Sequence, residues 1–214
     1  MTDVFRTVSL DQFDELLASA PASPAFREEF ARYDFGHDRQ SIDAAVHDGP
    51  LHVTTAFRTP AFCTLIIGDL DVAREVDLRS SYECGGLFIV LGDVRCEHFI
   101  SEYEAAVFID GDLQAGGAVL IAYSDSSFSV IGSMRARLLI GNDMCASVGS
   151  GAILDYGIGY CASLGSEGTS GIVKPRYDRS ATIEALIPKP RKSGYPFDAD
   201  DLAAIIRAGE PIFR

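Results

Sequence analysis

Gly68-Asp69-Leu70, Gly92-Asp93-Val94 and Gly111-Asp112-Leu113 repeat one signature through the middle of this chain, and a degenerate copy follows at Gly132-Ser133-Met134. The glycines stand 24, 19 and 21 residues apart, each after a largely apolar run: TLII, FIVL, VFID and FSVI. Self-similarity at a period of ~20 residues marks a stack of equivalent coils, since a unit this short acquires a core only by packing on its neighbours.

Aligned on the glycine, the repeats alternate. Four residues before it stand Thr64, Phe88, Val107 and Phe128, and two before it Ile66, Val90, Ile109 and Val130. Two after it come Leu70, Val94, Leu113 and Met134, and four after it Val72, Cys96, Ala115 and Ala136. A period of two is the pattern of strands with one face turned inward. A second apolar station lies eight residues after the glycine, at Val76, Ile100, Val119 and Ile140. Each repeat therefore reads as a strand, a bend at Gly-Asp, and another strand. The expected fold is mainly β, a parallel β-solenoid (β-helix) of about 4–6 short coils, flanked by N-terminal helices and a C-terminal helical cap. The expected divisions are 1–50 for a helical region, 51–160 for the solenoid, and 161–214 for a loop, strand and capping helix, together one compact domain.

Two sets of residues stand out as candidate sites. Asp69, Asp93 and Asp112 would stack into an acidic ladder with rungs ~4.8 Å apart, and such repulsion needs compensation. Backbone N–H groups of each carboxylate's own bend would supply it, as would a bound cation or a basic partner. The second set lies at odd offsets, which should face outward. Leu65, Ile67, Ile89, Leu91, Phe108 and Ile131 are large and apolar there, with Asp110 and Ser129 the exceptions. A strand apolar on both faces is covered on both faces. Either the chain's own helices dry this surface or a partner does, and it is the candidate interaction face.

Toward the N-terminus, Ser9 and Gln12 fit a capping box, with Val8 and Phe13 placed as its hydrophobic staple, for a helix from about Leu10 to Ala18. Ser23-Pro24 reads as an N-cap and first helical residue, with Phe26, Phe30 and Tyr33 at helical spacing. A third short helix is expected over Ser41–His47, ended by Asp48-Gly49-Pro50. Beyond Asn142 the repeat blurs; GSEGTSG (Gly165–Gly171) reads as a loop and Ala181–Ile187 as a strand. Asp198 is placed to cap a last helix through Leu202, Ile205 and Ile206, with Arg207 at its negative end and Gly209 closing it.

Composition narrows the function. The 214 residues carry a net charge of -13, distributed as -5 over 1–61, -8 over 62–143 and 0 over 144–214. An acidic body disfavours nucleic acid phosphates and suits a basic protein partner. The acidic start lacks an apolar signal-peptide core, and no run approaches the ~18 apolar residues of a membrane helix. Cysteines 63, 84, 96, 145 and 161 show no close pair, which points to reduced thiols in a cytoplasm. The G-x-S-x-G, H-E-x-x-H and P-loop motifs are absent, so no catalytic residue, metal ligand or cofactor is expected. Cys96 occupies an inward station and reads as a packed core thiol rather than a ligand. Arg135 and Arg137 are placed for a charged cluster with Glu102, Glu104 or Asp125 on neighbouring coils.

Over about Thr64–Asp143 the stacked short β-repeats resemble those of bactofilins, bacterial polymer-forming cytoskeletal proteins built on a parallel β-solenoid. That resemblance implies a self-assembling structural protein. The charge, the compact size and the lack of catalytic motifs point first to a non-enzymatic bacterial cytoplasmic binding scaffold, and within that class to an acidic immunity protein inhibiting a cognate toxin. A solenoid enzyme with an acidic cleft is a remote third expectation. No nucleic acid or membrane partner is expected.

Overall fold

The chain winds through short strands and tight corners into a three-sided parallel β-solenoid. The structure, a computed structural model, describes residues 4–33, 42–78, 86–102, 105–122, 127–142, 145–159, 162–163, 185–186 and 199–214. Strand β1 (Arg6–Val8) leads into helices α1 (Leu10–Ser19) and α2 (Pro24–Phe30). The first coil holds β2 (Ala44–Asp48), β3 (Leu51–Val53) and β4 (Phe57–Arg58), and the second β5 (Cys63–Ile67), β6 (Leu70–Val72) and β7 (Glu75–Asp77). The third holds β8 (Leu87–Val90), β9 (Val94–Cys96) and β10 (His98–Glu102), and the fourth β11 (Ala106–Ile109), β12 (Leu113–Ala115) and β13 (Ala118–Ala122). Next come β14 (Ser127–Val130) and the long β15 (Met134–Asn142), then β16 (Cys145–Val148) and β17 (Ala152–Gly159), with β18 (Ala162–Ser163) and helix α3 (Ala199–Arg207) last.

Strands β2, β5, β8, β11, β14, β16 and β18 form the first face, all parallel, with β1 antiparallel on the edge of β2. From β2 to β16 the chain makes five turns. Strands β3, β6, β9 and β12 form the second face and β4, β7, β10 and β13 the third; β15 runs through both and joins them into one sheet. The solenoid thus begins at Ala44, before the expected boundary at residue 51. The helix expected over Ser41–His47 is corrected by the same strand: Ala44–Asp48 pairs with Cys63–Ile67, and Gly49, with φ +104°, makes the bend of the first coil. Three apolar residues at Ala44-Ala45-Val46 gain more from burial between sheet neighbours and α1 than from one isolated helical turn.

Inside, the even-offset residues form one continuous core from Leu51 to Leu154. An aromatic column threads it: Phe57 to Phe88 at 5.8 Å, Phe88 to Phe99 at 6.4 Å, and Phe99 to Phe128 at 5.6 Å between ring centres. Phe5 packs on Phe57 at 6.1 Å beside the short edge strand β1, where the stack would otherwise end open.

The station eight residues after the glycine splits in two. Val76 and Val119 point inward, in register with Phe99 and Leu139, whereas Ile100 and Ile140 point outward. The corner into the third face holds Ala73-Arg74 and Gly116-Gly117 in two coils but only Glu97 and Arg137 in the alternate ones. A one-residue change in corner length exchanges the faces of the strand that follows.

Both N-terminal helices begin as their capping signals require. The Gln12 N–H donates to Ser9 Oγ at 3.2 Å, the Ser9 N–H to Gln12 Oε1 at 3.1 Å, and Ser23 Oγ accepts from the Phe26 N–H at 3.1 Å. Helix α3 closes at Gly209, φ +75°, whose N–H bonds Ile206 O while the Glu210 N–H bonds Ile205 O. Asp198 and the Gly165–Gly171 loop lie outside the described residues. Of the expected strand Ala181–Ile187 only Ala185 and Leu186 are described, and Leu186 bridges antiparallel to Phe213. Among the described residues no helix is long and apolar enough to cross a membrane.

Candidate interaction face

The first face carries the six apolar residues expected to face outward, and the chain covers them itself. Leu10, Phe13 and Leu17 of α1 and Phe26 of α2 pack with Leu65, Ile89, Leu91 and Phe108, while Ile67 and Ile131 sit half-buried at the margin. Phe26, Phe30 and Tyr33 surround the Phe108 ring at 6.4, 5.1 and 5.3 Å. The proposed docking set is therefore corrected: these side chains form an intramolecular core, because α1 and α2 need an apolar surface and this is the adjacent one. The two polar exceptions dock the same helix. Asp110 accepts from the Ser23 N–H at 2.7 Å and from the Ser23 hydroxyl, at the positive N-terminus of α2, and Ser129 Oγ donates to Glu29 at 3.1 Å.

The third face is covered by α3. Leu202, Ala203 and Ile206 lie on Ile100, Ala118, Leu120, Leu138 and Ile140, so the helix runs along a side of the stack. Arg207 forks onto Asp77 at 2.8 and 2.9 Å and reaches Glu102 at 2.6 Å. Both carboxylates are 2% exposed, and the hydrogen bonds that Arg207 donates to Asp77, foremost, hold the guanidinium proton even more tightly than usual. The charged cluster expected around Arg135 and Arg137 does not form on Glu102. Instead Arg137 lies 4.0 Å from Asp155 and stacks over the Phe213 ring at 3.9 Å. Glu104 and Asp125 lie outside the described residues.

The second face remains. Its outward column, one residue per coil, runs His52, Asp71, Arg95, Gln114, Arg135 and Ile153, and every member is exposed. Along one margin runs the acidic ladder. The Asp93 N–H donates to Asp69 Oδ1 at 2.9 Å and the Asp112 N–H to Asp93 Oδ1 at 2.9 Å; Ser133 closes the series on Asp112 Oδ1 through its N–H at 2.7 Å and hydroxyl at 3.0 Å. Each carboxylate thus accepts from the next coil rather than from its own bend, standing in for a backbone acceptor that the corner does not present. A Cβ on Gly92, Gly111 or Gly132 would overlap the preceding aspartate oxygen and lie 2.6–2.7 Å from the carbonyl oxygen of the glycine one coil earlier. Glycine and aspartate recur together because the aspartate of one coil occupies the space the glycine of the next leaves open. Arg95 offsets the charge, 2.7 Å from Asp93 and 3.9 Å from Asp69.

Along the other margin an open groove of about 350 Å³ is lined by Asp71, Arg95, Glu97, Gln114, Gly116 and Arg135. The Glu97 carboxylate lies over Gly116, and the His98 ring over Gly117, where any side chain would collide. His98 Nδ1 accepts from the Ala118 N–H at 3.1 Å, which places the ring proton on Nε2. Burial, with a smaller contribution from Arg74, lowers its pKa to about 4, so the imidazole is neutral at pH 7. Cys96 is buried on the inner side, and that burial pushes its thiol well above the usual range. Among the described residues no group of three His, Cys, Asp or Glu side chains is arranged to hold a metal ion.

Compared with family models, curated proteins and solved structures, the chain gives no significant match.

Proposed function

We propose that this protein is a non-catalytic binding scaffold whose second solenoid face receives a protein partner. The carrying observation is the division of labour among the three sides: the first lies under α1 and α2, the third under α3, and the second presents an exposed polar column beside an open groove. Among the described residues no helix lies on the second side, which is consistent with a reserved surface. The net charge of -13 steers a basic partner toward the molecule. An inhibitor held against a cognate toxin in a bacterial cytoplasm is the narrower form of this reading. Lateral self-assembly, which the bactofilin-like repeats imply, would need a bare apolar side. The apolar residues of the first face are packed under α1 and α2 within one chain, with Ile67 and Ile131 half-buried at its margin, and β1 with Phe5 occupies the N-terminal edge.

The test is site-specific photo-cross-linking in the source cells, with the photoreactive residue at Gln114 or, as a control, at Asp11 on the outer side of α1. One protein captured in stoichiometric yield from Gln114 and not from Asp11 is the expected result. Equal capture from both positions, or concentration-dependent filaments in light scattering, would overturn the proposal.

A further inference from the structure

Resting on that assignment of the second face, we infer that its groove recognises a peptide segment in which a carboxylate is flanked by cations. Three donors stand in one column on successive coils: Arg95, Gln114 and Arg135. The arginines are two rungs apart, roughly 9–10 Å along the stack. Arg95 is preorganised by its 2.7 Å contact with Asp93. The side chains of Gln114 and Arg135 make no hydrogen bond or ion pair among the described residues, and both residues are exposed. A guanidinium with open donors matches a carboxylate through two parallel N–H···O bonds, and the Gln114 amide adds a donor between the two.

The remaining lining decides the rest of the ligand. Asp71 and Glu97 stand at the same groove, and the Glu97 carboxylate makes no hydrogen bond or ion pair among the described residues. Two carboxylates beside the arginines repel a uniform polyanion such as a nucleic acid backbone. They favour cations on either side of the bound carboxylate, as does the overall charge. An extended Lys-Glu-Lys segment of a basic protein meets all of these conditions at once, with glutamate between Arg95 and Arg135 and the lysines toward Asp71 and Glu97. The Glu97 carboxylate lies over Gly116 at the groove floor, in position to meet one of those lysines.

The experiment titrates the full chain with the C-terminally amidated pentapeptide Lys-Glu-Lys-Glu-Lys, followed by backbone amide NMR, with amidated Lys-Gln-Lys-Gln-Lys as the control lacking carboxylates. Saturable shifts centred on Arg95, Gln114 and Arg135 are expected, with the control binding about tenfold more weakly. Arg135→Gln is expected to weaken the glutamate peptide about tenfold, and Arg135→Lys to restore part of that loss. Equal affinity for the two peptides, shifts confined to α1 and α2, or an unchanged affinity in Arg135→Gln would overturn the inference. Cross-linking at Gln114 that persists undiminished in Arg135→Gln would leave the face as the partner surface while removing the carboxylate from its recognition.

Discussion

At the scale of single residues, the glycines of this chain fall into opposite kinds. Gly111 has no room for a side chain, since a Cβ would press on the Asp93 carboxylate and on the Gly92 carbonyl. At Gly141, next to the last residue of β15, a Cβ would meet nothing within 4 Å. Gly111→Ala is expected to cost at least about 2 kcal/mol, and Gly141→Ala to be neutral or stabilising by up to about 1 kcal/mol through reduced unfolded-state entropy. Urea unfolding of the two variants checks both. His98 makes stability depend on pH. Its pKa falls from 6.5 to about 4 on folding, so the folded state resists a proton that the unfolded state accepts. Its contribution is complete above pH 6.5, declines as pH falls toward 4, and reaches up to about 3 kcal/mol of loss. His98→Gln retains an acceptor for the Ala118 N–H and is expected to flatten the stability profile between pH 6.5 and 4. An unchanged slope in that variant would assign the pH dependence elsewhere.

At the scale of elements, α2 and α3 are each attached by an apolar stripe and by polar anchors. For α2 these are Asp110 at its N-terminus and Ser129 on Glu29; for α3 it is Arg207 between Asp77 and Glu102. Arg207→Met would take the nearest cation from two buried carboxylates, leaving Asp77 the more distant Arg58 at 3.6 Å, an expected loss of about 3 kcal/mol. Adding Asp77→Asn and Glu102→Gln removes the buried negative charges and is expected to recover part of that loss, as measured by thermal unfolding. The capping boxes and amphipathic stripes of the helices were legible in the sequence because they depend on neighbours three and four residues apart. The buried ion cluster was not, since its members are 130 and 105 residues from Arg207. The slipped station at Ile100 and Ile140 was hidden for a related reason: corners as different as Ala73-Arg74, Glu97 and Gly116-Gly117 share no signature that reveals their length. The first coil escaped because Gly49 is followed by Pro50, without the aspartate that marks the others.

At the scale of the whole molecule, a stacked prism has more apolar side than its interior consumes, and the chain's ends supply the cover. Removing residues 1–33 would uncover Leu65, Ile89 and Phe108 together. The shortened chain is expected to self-associate, because a contiguous apolar patch of that kind is avoided by soluble monomers. Sedimentation of the full and shortened chains at equal concentration distinguishes the states; a shortened chain that stays monomeric and folded would show that α1 and α2 are dispensable covers. Lateral self-association is thus expected of the shortened chain, whose apolar first face α1 and α2 no longer cover.

The sequence by itself determined the solenoid, its period, the inward stations two and four residues either side of the glycine and the starts of α1 and α2, since all are written in spacings of two, three, four and ~20 residues that neighbouring peptide units impose. Only the tertiary structure decided what the outward residues meet. Whether Phe108 is dry, where Arg207 finds its carboxylates, and which side stays open depend on how the two ends fold back over the stack. Those contacts join residues about a hundred positions apart, and free energy gained by covering one side rather than another leaves no local pattern in the chain. The Gly-Asp signature belongs to both: its recurrence is plain in the sequence, but its reason, an aspartate of one coil filling the gap above the next coil's glycine, exists only once the coils are stacked.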